Sequence, residues 1–144
     1  MFTADYRRKI GFKATCSVFS HPQAPNEKFV ELVFDLDNKG RREYHCYTLA
    51  YELQAIVPRS VDTPPFVRRS GNVVPTEAGY YYVRAGVTQQ ISARLWIPGD
   101  IRFIRVKACA LFDRQRREIS PERDLLEQVY KSEDWIALDR VFPV

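Results

Sequence analysis

FVELVFDLDNKG, residues 29–40, combines the clearest strand pattern of this sequence with the turn that follows it. Large apolar side chains occupy every second position of the strand, which is the pattern of a half-buried β-strand. These are Val30, Leu32, Phe34 and Leu36. The letters DNKG then favour a tight turn, because Asn and Gly tolerate positive φ angles. The stretch therefore predicts a β-hairpin whose second strand is residues 44–56.

The same stretch can be compared with a calcium-binding loop, in which Asp35 and Asp37 would be ligands and Gly40 would form the sharp turn. Such a loop needs an oxygen ligand at its fifth position and a Glu at its twelfth. Lys39 and Cys46 occupy these positions. A cation in a ligand position is unfavourable beside a divalent ion, so we predict a turn and no metal site.

Alternation elsewhere predicts a chain made mainly of strands. Besides the two strands already described, strands are expected at residues 10–19, 79–84, 87–97 and 101–112, with a candidate last strand at 134–142. The turn at residues 98–100, PGD, is predicted to close a second hairpin.

Two further segments have different patterns. Residues 58–78 carry four prolines and a glycine, which predicts a long loop, and such loops often carry binding sites. Ser120-Pro121 has the form of a helix start, so residues 120–131 are predicted to form a short amphipathic helix.

These elements predict a single domain over residues 1–144 with an all-β fold. The expected architecture is a mainly antiparallel, two-sheet β-sandwich, with its principal strands in residues 10–112 and one short C-terminal α-helix.

The stretch EAGYYYVRAG, residues 77–86, resembles the tyrosine-corner strand of immunoglobulin-like domains. The acidic, small and tyrosine positions of that strand would be Glu77, Gly79 and Tyr81. Glu stands in place of the usual Asp, and Val83 stands where antibody-type domains have Cys. The resemblance implies an immunoglobulin-like sandwich and no particular function, because such folds host many.

The composition is that of a globular protein with a substantial core. The chain has 144 residues, of which 45% are hydrophobic and 13% aromatic, so disorder is not expected. No apolar run approaches the roughly 18 residues of a membrane helix, and the N-terminal residues lack the apolar stretch of a secretory signal. The three widely spaced cysteines predict reduced thiols and a cytoplasmic location.

No residue pattern points to catalysis, a metal or a cofactor. His45 is adjacent to Cys46, but neighbours on a strand face opposite ways, and the spacing of a zinc site is absent. Cys16, Cys46 and Cys109 all lie within predicted strands. We therefore expect no catalytic residue, and a small enzyme without a recognisable motif is the third alternative for function.

Arginines supply 16 of the 22 basic residues, and the net charge is +4. Several arginines form doublets just outside predicted strands, where the two poles of a sandwich would collect them. The doublets considered for an anion-binding site are Arg41-Arg42, Arg68-Arg69 and Arg116-Arg117. If they converge, the partner would be nucleic acid or an acidic lipid surface.

Aromatic residues predict a different surface. Tyr80, Tyr82 and Arg84 alternate along one predicted strand, and Arg94 and Trp96 alternate along the next. If both strands present these residues outward, they form an aromatic, cationic face of the kind that is over-represented in protein interfaces. We therefore predict a non-enzymatic module that binds another protein, or a second copy of itself, through these five residues.

Overall fold

The computed structural model describes residues 9–56, 65–112, 116–129 and 135–144. These ranges contain nine β-strands and a short helix. In chain order they are β1 (Ile10–His21), β2 (Ala24–Asn38), β3 (Tyr44–Cys46), β4 (Thr48–Ile56), β5 (Val67–Arg69), β6 (Tyr81–Val83), β7 (Thr88–Pro98), β8 (Phe103–Leu111), α1 (Leu125–Val129) and β9 (Trp135–Pro143).

The strands form three antiparallel sheets. A three-stranded sheet has the order β1-β2-β7, a four-stranded sheet has the order β5-β4-β8-β9, and β3 pairs with β6 in a two-stranded sheet. The predicted all-β class and the late helix are confirmed. The last strand, predicted at 134–142, is β9, although residue 134 itself lies outside the described residues.

The two larger sheets share one hydrophobic core. The four alternating residues of β2 are fully buried, as predicted. They pack in one cluster with side chains of β4 and β8, and the rings of Phe34 and Tyr51 bridge the sheets with centroids 5.6 Å apart. Full burial of each large aliphatic or aromatic side chain contributes about 1.5–3 kcal/mol, so this core is what holds the sheets face to face.

The prediction that DNKG closes a hairpin is wrong. β2 pairs with β1 and β7, whereas β3 pairs with β6 and β4 pairs with β5 and β8. The chain does turn after Asn38, but it leaves the three-stranded sheet there. The side chain of Asn38 accepts a hydrogen bond from the backbone N–H of Gly40 at 3.0 Å, which is the local turn that the residue types predict.

The second predicted hairpin, at residues 98–100, is wrong for the same reason. β7 belongs to the three-stranded sheet and β8 to the four-stranded sheet, so this turn also carries the chain between sheets. Gly99 donates its N–H to the carbonyl oxygen of Asn26 at 2.8 Å, and a Cβ at this position would lie 3.0 Å from that backbone. Turn residues specify the bend and the close approach, but they do not specify the partner strand.

A hairpin connects the predicted strand at residues 10–19 with the strand that contains residues 29–36, and two prolines lie between them. β1 and β2 pair from Ile10 opposite Asn38 to Ser20 opposite Lys28, after which the register shifts. The prolines do not interrupt the ladder because Pro22 lies in the turn and Pro25 lies where the shift occurs.

The helix begins later than predicted. Asp124 is its N-cap, since its carboxylate accepts hydrogen bonds from the N–H groups of Leu126 at 3.0 Å and Glu127 at 3.3 Å. The hydroxyl of Ser120, the predicted cap, accepts from the N–H of Glu122 at 3.3 Å in the turn before the helix, and the Ser120 backbone is bonded to the side-chain amide of Gln128. The end of the predicted range, residues 130–131, lies outside the described residues. Leucine and valine side chains of α1 pack on the outer face of the four-stranded sheet, in a cluster with Ala50, Cys109 and Leu111.

In the predicted loop 58–78, residues 58–64 lie outside the described part of the chain. The remainder contains β5, which pairs with β4, and Val74, which is buried in the core.

Candidate binding surface

The two-stranded sheet joins the two larger sheets, because β3 leads into β4 and β6 leads into β7. His45 lies directly opposite Tyr82, and Cys46 lies opposite Tyr81. Cys46 is fully buried and Tyr81 packs against the core, which places them on the inner face of the pair. By alternation, His45 and Tyr82 lie on the outer face.

Four rings pack together on this outer face: His45, Tyr47, Tyr80 and Tyr82, here called the aromatic cluster. His45 stacks on Tyr82 with centroids 5.0 Å apart and lies 4.4 Å from the ring of Tyr80. Tyr47 lies 5.6 Å from Tyr80. Ring pairs at such distances stabilise one another by about 0.5–1.5 kcal/mol beyond their area burial. Tyr80 remains 40% exposed, so the cluster is ordered by its own contacts and still reaches solvent.

Regular alternation along residues 44–56 would place Tyr47 on the core face with Leu49, but Tyr47 lies on the outer face. Cys46 and Leu49 are both in the core although they are three residues apart, so the alternation shifts by one residue between β3 and β4. Tyr47 lies in that break and turns outward beside His45. The two members of the cluster that the sequence prediction missed, His45 and Tyr47, are separated by one residue, as are Tyr80 and Tyr82.

Charged groups engage Tyr82 from nearby positions. Its hydroxyl donates a hydrogen bond to the carboxylate of Glu43, and the Arg84 guanidinium lies 5.4 Å from its ring centroid. The hydrogen bond to Glu43 raises the pKa of the Tyr82 phenol, and Arg84 opposes the increase. The Tyr82 phenol is therefore protonated throughout the physiological pH range. Its side chain lies between the Glu43 carboxylate and the Arg84 guanidinium.

Asn38 connects the turn after β2 to the turn after β6. Its backbone N–H donates to Val87 and its carbonyl accepts from Gly86. Its side-chain amide donates to the carbonyls of Arg42 at 2.7 Å and Val83 at 3.1 Å. Gly86 has a φ of 73°, which the turn requires and which Gly adopts without strain.

These contacts bring five cationic residues to one end of the molecule, beside the aromatic cluster. Lys39 and Lys9 are joined by a backbone hydrogen bond of 2.8 Å, and the others lie on the two turns. We call this set the basic pole: Lys9, Lys39, Arg41, Arg42 and Arg84.

The five residues predicted for protein binding do not form one face. β6 and β7 belong to different sheets, so Tyr80, Tyr82 and Arg84 are separated from Arg94 and Trp96. The latter two lie on the outer face of the three-stranded sheet.

There, Trp96 contacts the ring of Phe29 with centroids 5.1 Å apart, and Phe29 contacts Phe19 at 6.3 Å. Arg94 forms an ion pair of 2.7 Å with Glu31. Phe19 and Trp96 are about half exposed, which makes this row a second aromatic surface.

The six arginines predicted for anion binding belong to three different segments of the chain. Arg41 and Arg42 belong to the basic pole. Arg68 and Arg69 lie on β5, where Arg69 pairs with the buried carboxylate of Glu52 and Arg68 lies over the ring of Phe66.

Arg116 donates to the carbonyl oxygen of Val74 and forms an ion pair with Glu118. The backbone N–H of Arg117 donates to the hydroxyl of Thr48. At least two of the six guanidinium groups, those of Arg69 and Arg116, are therefore part of the internal hydrogen bonding of the fold.

The described residues contain no group of three or more His, Cys, Asp or Glu placed to hold a metal ion. Burial raises the pKa of the Cys109 thiol to about 12, and it also raises the pKa of the half-buried Cys16. Cys46 donates to the carbonyl oxygen of Thr48 at 3.3 Å. The thiols of Cys109 and Cys16 are therefore poor nucleophiles at neutral pH.

Two surface hollows lie away from the aromatic cluster. One, of about 480 Å³, is lined mainly by apolar residues of β1 and β9. The other, of about 410 Å³, includes Lys28, whose ammonium donates to the carbonyl oxygens of Ile101 and Val144.

No protein-family model and no curated protein matches the chain. Among solved structures, the chain is similar to Northeast Structural Genomics Consortium target SoR45, with a TM-score of 0.53 and 9% identity over 96% of this chain and 87% of that one. A protein from Archaeoglobus fulgidus gives a TM-score of 0.41 and 8% identity over 93% and 98% of the two chains. The first likeness concerns the fold alone.

In the part of the chain that the structure describes, no helix is long and apolar enough to cross a membrane. The cytoplasmic location stays a prediction from cysteine usage.

Proposed function

We propose that this protein is a non-enzymatic binding module that recognises another protein, and that the aromatic cluster with Arg84 is its contact surface. The observation that carries the proposal is the packing of four rings on the outer face of the two-stranded sheet, with a guanidinium group over one of them.

The residue types support a protein partner. Tyr and Arg are enriched among the residues that dominate binding energy in interfaces. A Tyr side chain has only two χ angles, so it offers a large contact area at a low cost in conformational entropy. Here the rings already restrain one another, so less of that entropy remains to be lost on association.

Immobilised protein tests the proposal by differential capture from a cell extract. Wild type would be compared with the double variant Tyr80→Ala/Tyr82→Ala and with Trp96→Ala, which removes an exposed aromatic ring from the other surface. We expect a protein that wild type and Trp96→Ala retain and that the double variant loses. Because alanine substitution of a central anchor costs about 2 kcal/mol or more, the expected loss per anchor is about 30-fold in affinity.

Circular dichroism and thermal unfolding of the double variant would establish that it is folded. A folded double variant that retains the same proteins as wild type would overturn the proposal. Loss of the captured protein from Trp96→Ala alone would move the contact to the three-stranded sheet and overturn it as well.

For the fold, we propose a relationship to immunoglobulin-like domains. The hydroxyl of Tyr81 donates to the carbonyl oxygen of Val73, eight residues upstream, at 3.4 Å. This supports the proposal because the tyrosine corner of those domains makes an upstream hydrogen bond of this kind.

A further inference from the structure

Residues of the basic pole lie within three positions in sequence of residues of the aromatic cluster. Arg84 follows Tyr82 by two residues and lies over its ring, and Arg42 and Glu43 lead directly into β3. The side chain of Lys39 is 66% exposed, and Arg41 and Arg84 are also exposed. A partner that covers the aromatic cluster would therefore meet these cations at its edge.

Positive charge is concentrated at this end. The turns at residues 37–43 and 84–87, together with Lys9, contain five cationic residues and only two acidic ones, Asp37 and Glu43. Both acids have partners within the protein. Asp37 accepts from the hydroxyl of Thr88 and lies 3.9 Å from the Lys39 ammonium, and Glu43 accepts from Tyr82. One of the five cations is thus partly compensated, at an exposed pair that water screens.

The opposite end of the three-stranded sheet provides a comparison. The segments there, residues 21–28 and 96–102, contain Glu27, Lys28, Asp100 and Arg102, so cationic and acidic residues balance. Lys28 is also engaged by two backbone carbonyls. Among these described segments, the turns beside the aromatic cluster thus carry the excess of positive charge.

The contacts that Tyr82 already makes favour an acidic polypeptide over single-stranded nucleic acid as the partner. Single-stranded nucleic acid binds by stacking its bases on aromatic faces. Tyr82, the ring beside the cations, is already stacked with His45 and covered by the Arg84 guanidinium. A base would have to displace one of these neighbours, whereas an acidic side chain can meet the guanidinium and ammonium groups where they lie.

We propose that the partner presents an acidic polypeptide segment to the basic pole while its apolar side chains cover the aromatic cluster. This inference rests on the proposed protein-binding function and specifies the chemistry of the partner. Complementary charge of this type accelerates encounter and fixes the register of docking, and its contribution falls as salt screens it.

A binding assay with defined probes tests the inference. A fluorescein-labelled peptide of about 15 residues, containing Glu and Asp with Leu at every third position, would be titrated by anisotropy. The same peptide with Gln and Asn in place of the acids, and oligothymidine of equal length, would be titrated in parallel. The protein variants are Lys39→Glu/Arg41→Glu and the control Arg102→Glu/Arg123→Glu, which makes the same change in net charge at exposed positions outside the pole.

We expect wild type to bind the acidic peptide, to bind the neutral peptide about tenfold or more weakly, and to lose affinity steeply between about 50 and 300 mM salt. The pole variant should weaken binding about tenfold, and the control variant about threefold or less. Equal losses in the two variants, tighter binding of oligothymidine than of the acidic peptide, or no binding of the acidic peptide would each overturn the inference.

The capture experiment separates this inference from the function on which it rests. If the protein captured through Tyr80 and Tyr82 is retained equally by Lys39→Glu/Arg41→Glu, the acidic-partner inference fails while the binding function stands. If capture does not depend on Tyr80 and Tyr82, the binding function itself fails.

Discussion

The buried side chain of Asn38 joins separate segments of the fold through hydrogen bonds. Asn38 is fully buried, and its side chain makes hydrogen bonds to three backbone groups, two on the turn after β2 and one on β6. Its residue type predicted a turn, which is correct. The long-range bond to Val83 of β6 was not predictable from its neighbours in sequence, because it depends on a segment 45 residues away.

Replacing Asn38 by Ala is expected to lower the free energy of unfolding by about 2–4 kcal/mol, because buried carbonyl groups would lose their donors. Urea denaturation followed by fluorescence measures this. The matched control is Asn26→Ala, an exposed position on the same strand, where a change within about 0.5 kcal/mol is expected. Equal effects at the two positions would contradict the role assigned to Asn38.

The burial of Cys109 can be tested by chemical labelling, because burial raises the pKa of its thiol. Its thiol has a pKa raised to about 12, so at pH 8 only about one molecule in ten thousand carries the thiolate. Iodoacetamide labelling followed by peptide mass spectrometry should therefore modify Cys16, which is only half buried, well before Cys109. Full labelling of Cys109 is expected only after denaturation, and rapid labelling in the native protein would contradict the packing of α1 over this residue.

The same thiol has a predictable effect on stability at high pH. Because its folded pKa lies above its unfolded value, the unfolded chain binds fewer protons above about pH 9. The contribution of Cys109 to stability is therefore complete below that pH and decreases as the pH rises toward 12. A Cys109→Ala variant should lack this part of the alkaline decrease.

At the scale of the elements, the outer face of the four-stranded sheet carries charges of alternating sign. Neighbouring residues across β5, β4, β8 and β9 are Arg69, Glu52, Lys107 and Asp139. Glu52 is buried between Arg69 and Lys107, with its carboxylate 4.0 Å from the lysine ammonium. Opposite charges on adjacent strands stabilise that pairing and disfavour slipped registers.

Glu52→Gln should destabilise the protein by about 1–3 kcal/mol, because two partly buried cations lose their counterion. Glu31→Gln, which removes the partner of the exposed Arg94, should cost less than about 1 kcal/mol. Chemical denaturation of both variants at the same pH and salt compares them. A larger loss of stability for Glu31→Gln than for Glu52→Gln would show that the row of alternating charges is not held by the buried carboxylate.

Strand positions and faces were largely predictable, because burial on one side of a strand imposes an alternation that the sequence displays. The pairing partners of the strands could not be predicted in this way. DNKG and the turn at residues 98–100 have the chemistry of hairpins, yet both carry the chain to another sheet. The hairpin that does form joins β1 and β2. Prolines lie in its turn and at its register shift, so the residue types there do not indicate strand pairing.

At the scale of the molecule, the candidate site forms at two of the crossings between the larger sheets, those that contain β3 and β6. β3 and β6 come together at those crossings and place pairs of alternating rings side by side. The sequence predicted Tyr80, Tyr82 and Arg84 as outward residues. It could not predict their separation from Arg94 and Trp96, or the approach of His45 and Tyr47, because both follow from non-local strand pairing.

The central claim is that the aromatic cluster is where a protein partner binds, and photo-crosslinking tests it most directly. Benzoylphenylalanine would replace Tyr80 in one variant and Trp96 in another, and irradiated cells would be analysed for adducts. We predict a discrete protein adduct from position 80 that is absent from position 96. A matching adduct from position 96, or no adduct from a folded position-80 variant, would contradict the account.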